Sequence, residues 1–136
     1  MRKFLWILLV APIYNWATTV ACPEPDIGRV EAAPDSIYSI EVIHDGPIRD
    51  LSITVKSELN KLSLESLVVR RRNQQAIVFA AELYLHDYSA DFQQAHIVSV
   101  PKQELDSYDF VATYTRRDAN CTYESERYEI QVSLNK

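Results

Sequence analysis

His86 and His96 are the residues of this sequence whose type and predicted placement could hold a metal ion. They end two neighbouring predicted strands and flank the loop 87–95, so they can face each other across a hairpin with Asp87 and Asp91 nearby. Two imidazoles and a carboxylate can bind Zn²⁺ or Cu²⁺. The spacing matches no ligand signature, and loop histidines are commonly only solvated. A small metal-binding domain using His86 and His96 is therefore one alternative function.

Catalytic spacing is missing elsewhere in the sequence. It contains no Gly-x-Ser-x-Gly, no His-Glu-x-x-His and no cysteine set beside a histidine. Its carboxylate pairs, Asp106 with Asp109 and Glu124 with Glu126, fall at predicted strand ends, where charges are usually solvated. A glycosidase pair also needs a cleft to hold its sugar. We predict that the protein is not an enzyme and uses no cofactor.

The two cysteines, Cys22 and Cys121, form the simplest even count for an exported chain. An oxidising compartment favours a disulfide between them. Ala21-Cys22 also resembles the end of a bacterial lipobox, although Thr19 stands where leucine is usual. That resemblance implies lipidation of Cys22, which would consume its thiol. The disulfide is the preferred prediction, and lipidation is the alternative.

The first 21 residues have the layout of a secretory signal peptide. A cationic start at Arg2 and Lys3 precedes an apolar run and small residues before Cys22, and the run is too short to span a bilayer. We therefore expect a secreted or periplasmic protein, or an outer-membrane lipoprotein if Cys22 is lipidated. The remaining chain has 12 basic and 19 acidic residues, a formal net charge of −7. Such a chain is a poor binder of nucleic acid or anionic membranes.

Residues 22–35 are rich in proline and charge, which indicates an extended N-terminal arm. Residues 36–136 then alternate between apolar and polar positions, the pattern of half-buried strands. About seven strands are expected, at 37–43, 49–57, 63–72, 76–86, 95–100, 107–116 and 122–134.

The segment Leu105-Asp106-Ser107-Tyr108-Asp109-Phe110 resembles the tyrosine corner of immunoglobulin-like sandwiches, with Tyr108 opening the penultimate strand. The cysteine that antibody-type domains place two residues later is replaced by Phe110. Together with the strand count, the resemblance implies an all-β fold, an antiparallel immunoglobulin-like β-sandwich without the antibody-type disulfide.

Tyr84, Tyr88 and Phe92 approach one loop and are candidates for a partner-binding surface. Two basic clusters, at 70–72 and at 116–117, are expected at opposite ends of the domain, where charge keeps hairpin tips soluble. Both tryptophans lie in the leader, which weighs against a sugar-binding face. Asn120-Cys121-Thr122 is an N-glycosylation sequon that matters only in a eukaryotic secretory pathway.

The preferred function is therefore an exported, non-enzymatic β-sandwich module that binds another protein or an envelope component. Its contact surface would be an exposed sheet edge or the loop around Tyr88 and Phe92. The alternatives are a lipid-anchored accessory subunit of a cell-envelope assembly, with Cys22 as its anchor, and the metal-binding domain. No nucleic acid is expected as a partner, and a membrane is expected only if Cys22 is lipidated.

Overall fold

The computed structural model describes residues 29–44 and 46–132. The predicted signal peptide 1–21 and Cys22 lie outside these residues and stay predictions. The described chain is mostly β-structure, which confirms the all-β expectation. Short 3₁₀ turns at Asp35–Ile37 and Lys102–Ser107 precede the second and the ninth strand. The strands are β1 (Val30–Ala32), β2 (Tyr38–His44), β3 (Ile48–Lys56), β4 (Glu58–Leu59), β5 (Leu62–Asn73), β6 (Ala76–Glu82), β7 (His86–Asp87), β8 (Phe92–Pro101), β9 (Tyr108–Arg117) and β10 (Tyr123–Gln131).

The strands form two sheets. The first sheet has the order β1-β10-β9-β5-β4, and β6 also pairs with β5. The second sheet has the order β2-β3-β8-β7. Neighbouring strands are antiparallel except β1, which runs parallel to β10 with Val30 opposite Arg127.

Both sheets contribute to one hydrophobic core because their strands alternate as the sequence pattern predicts. On β3, Leu51, Ile53 and Val55 are fully buried, while the polar residues between them face the other way. On β9, Phe110 and Tyr114 are fully buried in the same core. Apolar burial of this extent is the main stabilising contribution to the fold.

Six of the seven predicted strands match observed strands within three residues at each end. The strand predicted at 76–86 is wrong in its second half. β6 ends at Glu82, and after one more hydrogen bond, from the Leu83 amide to the Leu67 carbonyl, the chain crosses to the second sheet and forms β7. Leu83 and Leu85 continue the alternating pattern because they pack on the shared core from this crossing segment. Sequence alternation cannot show which sheet a residue belongs to.

Three short strands were not predicted. β1 lies within the predicted arm, and β4 and β7 have two residues each. β4 is joined to β5 by Asn60 and Lys61, which both have positive φ, at 52° and 66°. Two consecutive residues in this region make a tight hairpin turn. No helix within the described residues is long and apolar enough to span a membrane.

Candidate functional site: an exposed apolar edge strand

β6 is an apolar strand with unusual exposure. Its first six residues, from Ala76 to Ala81, are all apolar, yet only Ala81 is partly buried. Ile77 is 49% exposed, Val78 56% and Phe79 51%. Large apolar side chains that are contiguous and exposed mark interaction sites in soluble proteins. β6 is therefore the leading candidate for a contact surface.

One side of β6 is unpaired. Within residues 29–44 and 46–132, β6 pairs only with β5. The Leu83 amide donates to the Leu67 carbonyl on β5, and the antiparallel register continues from there with Ala81 opposite Val69 and Ala80 opposite Arg70. Because paired residues alternate between hydrogen-bonded and non-hydrogen-bonded positions, the backbone groups of Ala81 point to β5. Those of Ala80 and Glu82 therefore point to the open edge.

The usual protection of an edge strand is largely missing here. Natural edges carry lysine, proline, inward-pointing charges or bulges that block pairing with another chain. β6 has no lysine or proline, and its only charged residue is Glu82 at the end. Its one irregularity is a register shift opposite Arg71 and Arg72, which leaves Val78 as an extra residue. The stretch from Phe79 to Glu82 stays regular.

A groove continues from the C-terminal end of β6. It has a volume of about 480 Å³ and is lined by Glu65, Glu82, Leu83, Tyr84 and Leu85. Tyr84 is 86% exposed. The carboxylates of Glu65 and Glu82 form no ion pair with any described residue. The groove therefore combines an apolar floor with two uncompensated negative charges.

The three predicted partner-binding residues are not equivalent. Tyr84 lines the groove beside β6, and Tyr88, also exposed, follows β7. Phe92 begins β8 and is half-buried, and its carbonyl accepts hydrogen bonds from the amides of Tyr88 and Ser89 in a tight turn. Sequence reasoning located these aromatic residues, but it missed the exposure of β6 because alternation there suggested a buried face.

His86 and His96 do face each other, as the sequence suggested. Their rings stack with centroids 5.1 Å apart and planes inclined by 24°. Within the part of the chain that the structure describes, no group of three histidine, cysteine, aspartate or glutamate side chains is arranged to hold a metal. Asp87 and Asp91 thus do not complete the expected ligand set.

The Arg70–Arg72 cluster belongs to an ion network that the sequence did not reveal. The Nε atom of Arg70 donates to Oδ1 of Asp109 at 2.6 Å, and the Nε atom of Arg72 donates to Oδ2 at 2.7 Å. A second carboxylate, Glu129, accepts from Nη2 of Arg70 at 3.3 Å. The hydrogen bond and charge of Asp109 raise the pKa of Arg72.

The β5–β9 register places the two basic clusters at opposite ends of the first sheet, as predicted. Arg71 pairs with Tyr108 at the start of β9, whereas Thr115, next to the cluster at 116–117, pairs with Ser63 near the start of β5. The cluster at 70–72 is not merely solvated charge, since the Arg70 side chain is only 11% exposed. The ion pairs of Asp109 could not be predicted from the sequence, because Arg70 and Arg72 lie almost 40 residues away. The sequence signal for this network is Asp109 itself, an acidic residue inside an apolar strand.

Cys121 and Asn120 lie in the turn between β9 and β10. Asp118 orders this turn because its Oδ1 atom accepts from the amides of Asn120 and Thr122, both at 2.9 Å. The hydrogen bond from the Thr122 amide is the largest of the influences that lower the pKa of Asp118. Cys121 has a φ of 61°, and Asn120 is exposed. The predicted bridge to Cys22 stays a prediction.

No protein-family model, curated protein or solved structure matches this chain.

Proposed function

We propose that this protein is an exported, non-enzymatic immunoglobulin-like β-sandwich module that binds an extended segment of another protein by strand addition to β6. The observation that carries the proposal is an uncharged, exposed stretch, Ala76–Ala81, with one unpaired edge. In strand addition, main-chain hydrogen bonds supply affinity and alternate side chains supply specificity.

The strand order supports the immunoglobulin-like interpretation. Immunoglobulin domains place strands A, B, E and D in one sheet and C, F and G in the other, to which variable-type domains add C′. The order β2-β3-β8-β7 corresponds to A-B-E-D, and β10-β9-β5-β6 corresponds to G-F-C-C′. Tyr108 opens β9, the penultimate strand, at the sequence position of a tyrosine corner, although its hydroxyl lacks the hydrogen bond of that motif to any other described residue. In this interpretation β6 is a free edge of the first sheet.

The groove defines the chemistry of the partner. An antiparallel segment on β6 would place its amino-terminal end beside Glu82, since antiparallel strands run in opposite directions. Glu65 and Glu82 would then favour a lysine or arginine at that end. The apolar residues of β6 favour apolar side chains in the rest of the segment. A second copy of this chain fits less well, because its own β6 has no basic residue to offer.

A synthetic peptide tests the proposal directly. It has alternating valine and threonine preceded by lysine, and a matched peptide has glutamate in place of the lysine. Fluorescence anisotropy should show saturable binding of the lysine peptide and weaker binding of the glutamate peptide. Equal affinity for both peptides would contradict the assigned role of Glu65 and Glu82.

Ala80→Pro should abolish peptide binding because it removes an amide that points to the open edge and leaves the β5–β6 hydrogen bonds intact. Ala80→Thr is the matched control, because it keeps the amide and has good strand propensity. Circular dichroism shows whether both variants remain folded. Unchanged binding by a folded Ala80→Pro variant would reject strand addition at β6.

The proposal includes export of the protein and a disulfide between Cys22 and Cys121. A disulfide to Cys121 is supported by the parallel pairing of β1 with β10, because the chain enters β1 at the end of β10 that is nearer to Cys121. Seven residues separate Cys22 from Val30 and five separate Cys121 from Arg127, which lies opposite Val30; extended chain covers about 3.3 Å per residue. The alternative is a lipid anchor for an accessory subunit. Mass spectrometry of the exported protein decides between a diacylglyceryl-modified Cys22 and a bridged one.

A metal ion at His86 and His96 is the second candidate function, favoured by the stacking of the two rings. The two imidazoles lie on neighbouring strands, and imidazole is a suitable ligand for Cu²⁺ and Zn²⁺. Titration calorimetry with each ion should give heat that His96→Gln removes. The absence of heat with both ions would reject this candidate.

A further inference from the structure

We propose that a polar cleft at the other end of β6 binds a neutral saccharide unit. The cleft has a volume of about 580 Å³, which lies within the usual range for small-molecule sites. It lies between the β5–β6 turn, the start of β9 and the end of β10. This site is separate from the β6 edge, so either proposal can fail without the other.

The wall of the cleft is rigid. Asp109 is only 5% exposed, and each of its oxygens accepts from a different arginine, Arg70 or Arg72, at 2.6 and 2.7 Å. On the neighbouring strand, Glu129 accepts from Nη2 of Arg70 and from the side-chain Nε2 of Gln131, both at 3.3 Å. Charge-assisted bonds of this kind fix the positions of polar groups before a ligand arrives. Preorganisation lowers the entropic cost of binding.

Several lining groups still have hydrogen-bonding capacity. The guanidinium of Arg72 has five N–H groups, of which two form hydrogen bonds with described residues. Nε donates to Asp109, and Nη1 donates to the Gln75 carbonyl at 3.4 Å. The side chains of Gln74, Gln75, Asp106 and Tyr108 make no hydrogen bond with any other described residue, although all four line the cleft. Donors and acceptors are therefore mixed around one space.

The charge of the cleft selects a neutral ligand. Asp106, Asp109 and Glu129 would repel a phosphate or carboxylate. Arg72, which lines the cleft, and Arg70, which is paired with Asp109 and Glu129, would oppose a cation. An apolar ligand would leave the polar groups desolvated and unpaired. A sugar presents several hydroxyl groups, each of which donates and accepts. Carboxylates, amides and a phenol are the complementary partners.

The aromatic content of the cleft limits the affinity. Its one aromatic side chain is Tyr108, which both packs against the core and lines the cleft. Without a tryptophan platform the sugar gains little stacking energy. We therefore expect dissociation constants of about 1 mM rather than micromolar values.

NMR titration of the folded protein with glucose, galactose, N-acetylglucosamine and maltose tests this inference. At least one sugar should produce saturable shifts at the side-chain amides of Gln74 and Gln75 and at the backbone amide of Tyr108. Gln75→Ala and Asp106→Asn should each weaken that binding about threefold to tenfold, the size of one hydrogen bond. Gln103→Ala is the matched control, because Gln103 is exposed and does not line the cleft.

Three results would overturn the inference. The first is no saturable shift with any of the four sugars. The second is an equal loss of binding in Gln103→Ala and Gln75→Ala. The third is binding of inorganic phosphate or arginine amide in the cleft while the sugars leave it unchanged, because either result would reverse the charge argument.

Discussion

Arg70 and Asp109 lie directly opposite each other on β5 and β9, and the Nε atom of Arg70 donates to Oδ1 of Asp109 over 2.6 Å. Both side chains are nearly buried, at 11% and 7% exposure. This pair joins the two central strands of the first sheet on the face away from the shared core. Asp109 also lines the polar cleft, so one side chain serves both the fold and the proposed sugar site.

Removing Asp109 should destabilise the protein strongly. Asp109→Ala leaves Arg70 nearly buried without its closest partner, and breaking a buried ion pair from one side costs about 3–5 kcal/mol. That is a large share of a total stability of about 5–15 kcal/mol. Urea unfolding followed by circular dichroism measures the change.

The matched control for Asp109→Ala is Glu124→Ala, which breaks the ion pair between Arg116 and Glu124. That pair has a similar distance, 2.9 Å, but both side chains are 51% exposed. Its loss should cost less than about 1 kcal/mol. Equal costs for the two variants would show that burial does not govern the Arg70–Asp109 pair.

Two tyrosines should lose their protons at a higher pH than an ordinary tyrosine. Burial raises the pKa of Tyr114 to about 12, and the hydrogen bond to Glu126 raises the pKa of Tyr128 to about 12. Because the ordinary pKa is about 10, their stabilisation of the fold is fully present below about pH 10. It is lost as the pH rises through about 12.

Absorbance at the tyrosinate band measures this titration. Glu126→Gln should lower the pKa of Tyr128 and leave the late step of Tyr114, whose hydroxyl donates to the Lys56 carbonyl at 2.8 Å, nearly unchanged. Loss of both late steps in that variant would be inconsistent with separate causes for the two shifts.

Asp118 should stabilise the β9–β10 turn only when it is ionised. Its pKa is lowered chiefly by the hydrogen bond from the Thr122 amide. A lowered pKa means that this stabilisation is present above the ordinary value of about 3.9 and is lost as the pH falls through the lower folded value. Asp118→Ala should therefore reduce the melting temperature at neutral pH and have little effect at about pH 2. An equal reduction at both pH values would contradict an electrostatic role.

Tyr84 and Tyr88 should differ in peptide binding. Tyr84→Ala removes a side chain that lines the groove at the end of β6 and should weaken the lysine peptide about fivefold or more, the effect of losing about 1 kcal/mol. Tyr88→Ala is the control, because Tyr88 is also exposed but does not line that groove. A larger loss of binding in Tyr88→Ala than in Tyr84→Ala would indicate that the contact surface is the loop at 88–92.

The fold was predictable where a residue's environment follows from local alternation. Leu51, Ile53 and Val55 are spaced as the pattern requires, and they are buried as expected. Alternation failed for Phe79, which shares one face of the strand predicted at 76–86 with the partly buried Ala81, Leu83 and Leu85. The second sheet ends with β7, a strand of only two residues, and Phe79 is 51% exposed. The extent of the opposing sheet is a tertiary property that no local pattern contains.

The candidate sites depend on the long-range register between strands even more than the fold does. Asp106 and Asp109 were visible as a carboxylate pair, but their cleft is completed by Gln75 on another strand's turn and by Gln131 near the end of the described chain. The pairing of Asp109 with Arg70 and Arg72 is set by the β5–β9 register. The stacking of His86 and His96 was predictable because a single hairpin brings them together.

Amide hydrogen exchange at Ala80 tests strand addition to β6 most directly. In the free protein the Ala80 amide faces the open edge and should exchange quickly, whereas the Ala81 amide is bonded to β5 and should be protected. Saturating lysine peptide should slow exchange at Ala80 and Glu82 and leave Ala81 as it was. If the peptide binds and the exchange of Ala80 does not change, β6 is not the site of strand addition and the proposed function is wrong.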